Sequence, residues 1–118
     1  MISRSRHWWR LLLALAILFA VTMALLPHPP KVPIDSDKYQ HMLAFGTLTI
    51  LSVLAFPATP LLRIGERLSF LGAMIEVVQS IPALHRDCDI MDWVADTAVI
   101  VAVLLVVAIS RRRRPSAI

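Results

Sequence analysis

Leu11 to Leu26 is sixteen residues without a charge, and three further apolar stretches follow it in a chain of only 118 residues. This feature limits the possible folds more than any other. A membrane-crossing helix takes about 20 mostly apolar residues at 1.5 Å rise each. Trp8 and Trp9 extend the first run. Tyr39–Phe56 is the second and carries only His41 as an ionisable group. Leu61–Ile81 is the third and weakest, with Arg63, Glu66 and Arg67 in its first turns and Glu76 further on. Asp92–Ile109 is the fourth, apolar apart from Asp92 and Asp96 near its start. A small domain buries the smallest share of its surface. A body this size cannot hide a 58% hydrophobic composition with 17% charged residues and a mean hydropathy of +0.71. These values exclude a soluble enzyme and a disordered tail. The single cysteine, Cys88, excludes an intrachain disulfide scaffold.

The eight prolines divide the chain in the same way. Pro27, Pro29, Pro30 and Pro33 fill the first connection, Pro57 and Pro60 the second, Pro82 the third, and Pro115 the tail. None interrupts a proposed span, as expected of a residue that breaks the helical hydrogen-bond ladder. Trp8, Trp9, Tyr39 and Trp93 stand at span ends, where amphipathic rings favour the membrane interface. Val99–Ile109 is rich in β-branched residues, but a single segment in lipid satisfies its backbone only as a helix. The sequence therefore predicts an all-α integral membrane bundle. It is a single domain over 1–118 with four transmembrane helices, at about 8–26, 39–56, 63–81 and 92–109, and a basic tail at 110–118. The first run is also read against a signal peptide. It is long for one and lacks a clear small-x-small cleavage site, which favours a retained helix.

Charge sets the orientation. Arg4, Arg6, Arg10, Arg63, Arg67 and Arg111 to Arg114 fall on one side of a four-span topology, with Glu66 as the only acid. Lys31, Lys38 and Arg86 fall on the other side, with Asp35, Asp37, Glu76, Asp87, Asp89, Asp92 and Asp96. Basic residues of short loops stay in the cytoplasm, so both termini are expected there and the acidic side faces outward. The arginine tail reads as a topology anchor with affinity for anionic lipid. No aromatic residue is interleaved with it to stack on bases, so nucleic acid is not expected as a partner.

Four polar features converge on the outer side of this topology. Asp37-Lys38-Tyr39-Gln40-His41 opens the second span, with Asp37 and His41 four apart on one helical face and Ala44, Phe45 and Leu48 continuing the stripe. Glu76 and Gln79 lie near the end of the third span, with Gly72 one turn earlier to permit close helix approach. Arg86 lies in the outer connection. Asp89, Asp92 and Asp96 form an acidic stripe into the fourth span. An Asp in mid-membrane costs about 2.5–3.5 kcal/mol, so these carboxylates should face the bundle interior, with Lys38, Arg86 and His41 as partners. Each residue alone also has a structural reading: a helix start for Asp37 and Lys38, a register-fixing pair for Glu76 and Arg86, an interhelical hydrogen bond for His41 or Gln79. Taken together they are more than packing requires.

The pattern Asp37-Lys38-x-x-His41-x-x-Ala44-Phe45-x-x-Leu48, then Gly72-x-x-x-Glu76-x-x-Gln79, then Arg86 with Asp92, resembles the VanZ-like family of small bacterial membrane proteins. The resemblance covers Asp37 to Asp96. It implies a multi-pass protein of the bacterial cytoplasmic (inner) membrane, linked to the cell envelope and to antibiotic resistance of the teicoplanin type, with no established reaction. The chain departs from the family at two positions. Asp96 stands where an asparagine is usual, which adds charge. Val99 stands where a glycine is usual, which adds bulk against close helix packing.

The main functional expectation is a site for a cell-envelope ligand, such as a lipid-linked headgroup or a glycopeptide. Lys38 and Arg86 would hold carboxylate or phosphate. Asp37, Gln79, Asp89, Asp92 and Asp96 complete the binding set, and His41 and Glu76 serve as catalytic acid–base residues in an enzymatic version. No cofactor or metal is assigned. A divalent-metal site from His41, Glu76, Asp89 and Asp92 is the competing chemistry, opposed by the two nearby cations. A non-enzymatic accessory module, whose polar residues only hold the helices together, is the other alternative. Membrane lipid is an expected partner, and the sequence does not fix the oligomeric state.

Overall fold

A computed structural model describes residues 4–25, 37–82 and 90–113. Among them there are four helices and no strand: α1 (Arg4–Leu25), α2 (Asp37–Ala55), α3 (Leu61–Gln79) and α4 (Ile90–Arg113). Two are long and apolar enough to cross a membrane, Ser5–Leu25 and Ile90–Arg113, and Tyr39–Ala55 is a shorter apolar helix. Proline and the turn it favours separate α2 from α3. The chain turns over Phe56–Thr59, where the Thr59 amide donates to the Phe56 carbonyl at 3.1 Å. Pro60 then takes the N-cap position and its carbonyl accepts from Arg63 and Ile64. The β-branched run Val99–Ile109 is helical throughout.

Two helices run past the apolar stretches: α1 begins at Arg4, before Trp8, and α4 continues through Arg113, so the first arginines of the tail are helical. Arginine is a good helix former, and cations at a helix C-terminus meet the negative end of its dipole.

Three contacts set the direction of the helices. Arg10, early in α1, donates from Nε to the Ala55 carbonyl at the end of α2 (3.1 Å), and its guanidinium lies 4.3 Å above the Phe56 ring. Gln79, the last residue of α3, donates to the Ala24 carbonyl at the end of α1 (2.8 Å). His41 in the first turns of α2 meets Asp96 in the first turns of α4. The bundle therefore alternates in direction. α2 packs closely on α1 and α4, α3 packs closely on α4, and α3 has lesser contact with α1 and α2.

The core runs along the inner stripes. Phe45, Leu48, Leu51 and Ala55 come from α2, Ile64, Leu68 and Ile75 from α3, Ile100 from α4, and Leu13 and Ala24 from α1. Leu48 is 1% exposed. The hydroxyls of Thr49 and Ser52 are buried among them and donate to carbonyls one turn earlier, the usual way a helix accommodates these side chains. Large apolar side chains cover the outside of all four helices, including Phe19, Leu43, Leu62 and Val106. The charges of α3 that weakened its reading as a span, Arg63, Glu66 and Arg67, all point outward at its opening turns.

The glycines open the surfaces that α4 packs against. A methyl built on Gly72 would meet Trp93 Cδ1 at 3.4 Å, Phe45 Cζ at 3.5 Å and Asp96 Oδ2 at 3.6 Å, so this glycine does permit the close approach expected of it. The bulk expected of Val99 is accommodated rather than obstructive. Gly46 lies opposite it, where a methyl would come within 3.2 Å of Val99 Cγ1.

Candidate functional site

Helical spacing places the polar residues inside. In α3 the buried positions are Ile64, Leu68, Gly72, Ile75, Glu76 and Gln79, steps of three and four that mark one face. Glu76 and Gln79 therefore continue the core stripe. In α4 the buried residues Asp92, Asp96 and Ile100 are each four apart, so the acidic stripe is also the inward stripe. His41 continues into Phe45 and Leu48 in α2. The alternating bundle brings the start of α2, the end of α3 and the start of α4 to one end.

There the side chains meet. Single ligand-type atoms of His41, Glu76 and Asp92 lie within 4.8 Å of one another, and each comes from a different helix. Asp96 Oδ2 is 3.8 Å from His41 Nδ1, with Asp96 1% exposed. That distance is an ion-pair contact and too long for a hydrogen bond. His41 Nδ1, Asp96 Oδ1 and Gln79 Oε1 are buried without a hydrogen-bond partner among the described residues. Such orphaned polar atoms in an interior point to a group that completes them.

The helix termini explain one carboxylate and not another. Asp92 lies in the first turn of α4, where the dipole favours an anion. Glu76 lies in the last turn of α3, where the same dipole opposes it, and it is only 6% exposed. Its position is a cost that local helix physics does not offset.

A cavity of about 340 Å³ lies between α1 and α2 and reaches the same cluster. Small residues Ala16, Ala20 and Ala44 hollow its walls, Phe19 and Leu43 form its outer rim, and His41 closes its polar end. Apart from His41, Gln40 and Thr47 its lining is apolar, and its size is at the lower end of small-molecule sites.

Of the residues singled out from sequence, His41, Glu76, Asp92 and Asp96 come together, with Gln79 one turn from Glu76 and tied to α1. Asp37 and Lys38 form the opening turn of α2. Their side chains, and all of Arg86 and Asp89, lie outside the described residues. Trp93 is not simply an interfacial anchor. It is half-buried, and its indole N–H donates to the Ser69 carbonyl at 3.0 Å, while the Ser69 and Thr97 hydroxyls share a hydrogen bond of 2.9 Å. Ser69 and Thr97 were not anticipated. The available signal was spacing: Ser69 precedes Gly72 by three, and Thr97 follows Trp93 by four. Comparison with protein-family models, with curated proteins and with solved structures gave no match for this chain.

Proposed function

We propose that the chain is a four-span, VanZ-like protein of the bacterial cytoplasmic membrane, both termini inside, that binds an amphiphilic cell-envelope ligand near the outer leaflet. The observation that carries this reading is the apolar groove between α1 and α2 that ends on His41 beside Glu76, Asp92 and Asp96. A lipid-linked ligand lays its hydrocarbon chain in the groove and its headgroup against the polar cluster, which accepts hydrogen bonds from hydroxyls or amines. That hydrocarbon chain leaves lipid as apolar as the groove, so packing and the headgroup contacts, not hydrophobic transfer, supply the selectivity. His41 and Glu76 are the residues placed to move a proton on the headgroup. The membrane setting is supported by the two long apolar helices, in which only 11% of each apolar window is buried. A core helix of a soluble protein would be covered by the rest of the fold.

Two measurements test the reading. Native mass spectrometry on the full chain in detergent should detect a bound polyprenyl-phosphate-type lipid, with occupancy falling at least tenfold in Ala20→Trp, which fills the groove, and in His41→Ala. Expression in a susceptible host should reduce teicoplanin susceptibility, and His41→Ala and Glu76→Gln should abolish the effect at unchanged membrane abundance. Variants that behave as wild type in both assays would refute the proposal.

A second reading, an accessory module held together by its polar residues, is favoured by a different observation. Gln79 is tied to the α1 end, and Trp93 and Thr97 to Ser69. On that reading His41→Ala and Glu76→Gln lose abundance and function together.

A further inference from the structure

We infer that His41, Glu76 and Asp92 form a binding site for a divalent transition-metal ion of zinc's ligand preference, with Asp96 positioning the imidazole. The inference concerns the polar end of the proposed site: with an ion bound, His41 and Glu76 serve as its ligands instead of as a proton-moving pair, while the apolar groove keeps its role.

The geometry is that of a three-ligand site. Ligands about 2.1 Å from a shared ion stand roughly 3–3.5 Å apart, and the three candidate atoms already lie within 4.8 Å of one another. Side-chain adjustments on the order of 1 Å close the site. The donor set is one imidazole nitrogen and two carboxylate oxygens. Zinc accepts this mixture and commonly takes three protein ligands with a fourth position open. Magnesium prefers an all-oxygen octahedron with several waters, which a largely buried site with a histidine does not suit. The ligands come from α2, α3 and α4, so one ion would join three helices whose shared end is otherwise crowded with acids.

Two independent observations point to a cation. Asp96 is 1% exposed, faces His41 Nδ1 from 3.8 Å, and has Oδ1 without a hydrogen-bond partner among the described residues. With an ion on the other ring nitrogen, closing this 3.8 Å gap would let the Nδ1–H donate to Asp96, which would fix the ring and strengthen it as a ligand. Glu76, only 6% exposed in the last turn of α3, is a further carboxylate that a bound cation would favour there. An asparagine in place of Asp96 would supply an amide where the site gains from a carboxylate.

The test uses the full chain without an affinity tag, purified in detergent, loaded separately with Zn²⁺ and Mn²⁺, dialysed, and read by elemental mass spectrometry. About one equivalent of one ion should remain. His41→Ala, Glu76→Gln and Asp92→Asn should each retain less than a tenth of that, with unchanged elution on size exclusion. Asp96→Asn should keep the stoichiometry but weaken affinity ten- to a hundredfold. Should a variant fail to fold, wild-type thermal unfolding gives a second reading: the added ion should raise the midpoint and a chelator should reverse it. Retention below a tenth of an equivalent for both ions overturns the proposal. Wild-type retention in all three ligand variants overturns it equally. Ala20→Trp, which fills the groove without touching a ligand, should lose the lipid and keep the ion, so the two proposals fail separately.

Discussion

Replacing Gly46 with alanine should destabilise the bundle, whereas the same change at Gly72 should be neutral or mildly stabilising. Both remove a glycine from a helix interior and gain about 1 kcal/mol of helix propensity. They differ in what the new methyl meets. At Gly46 it lies 3.2 Å from Val99 Cγ1, closer than the optimal carbon separation of about 3.5–4.0 Å. Val99 cannot swing aside, because a valine in a helix is held to essentially one χ1 rotamer. α2 and α4 must separate instead, and overpacking of this kind costs about 1–3 kcal/mol. The net effect is a loss of roughly 0–2 kcal/mol. At Gly72 the nearest contacts are 3.4 to 3.6 Å, ordinary van der Waals distances, so the propensity gain survives. The two variants should therefore differ by about 1–3 kcal/mol, measured by far-ultraviolet circular dichroism during denaturant titration in micelles. Val99→Ala should rescue Gly46→Ala, with a coupling of about 0.5–3 kcal/mol in a double-mutant cycle. Equal stability of the two alanine variants, or a Val99→Ala change that harms Gly46→Ala as much as wild type, would refute the reasoning.

Other expectations follow from single contacts. Leu48→Ala removes a side chain 1% exposed at the centre of the bundle and should cost about 2–5 kcal/mol, read in the same titration. Gln79→Leu loses the hydrogen bond to the Ala24 carbonyl and should cost about 0.5–1.5 kcal/mol; an unchanged unfolding midpoint would show that this tie between α1 and α3 is inert. A reporter active only outside the cytoplasm should stay silent when fused after Ile118 and become active when inserted between Pro82 and Asp89. Activity at the C-terminal fusion would reverse the proposed orientation.

The inward faces of α2 and α3 were legible because their spacing is local. His41, Phe45 and Leu48 fall at steps of four and three, and so do Gly72, Glu76 and Gln79. Asp92 and Asp96 extended the same logic into α4, where their companion Ile100 went unremarked among many similar apolar residues. What sequence could not give was register between helices. The pairing of Gly46 with Val99 links positions 53 apart, and nothing near either residue signals the other. The same holds for Ser69, whose carbonyl and hydroxyl meet Trp93 and Thr97. Small hydroxyls in an apolar helix show no pattern until the opposing helix is in place. α1 and α4 run beyond the apolar stretches for another reason: hydropathy stops at the first arginines, but the helical hydrogen-bond ladder does not.

Arg10 secures the beginning of α1 to the end of α2, and Gln79 secures the end of α1 to α3. Between these two fastenings, Ala16, Phe19 and Ala20 form one wall of the groove. Removing α1, as cleavage of a leader would do, would turn the groove into an open flank of α2. It would leave the Gln79 amide without its acceptor and uncover the His41 end of the cluster. The first helix is thus part of the chamber it helps to enclose, and losing it would have consequences at the opposite end of α3.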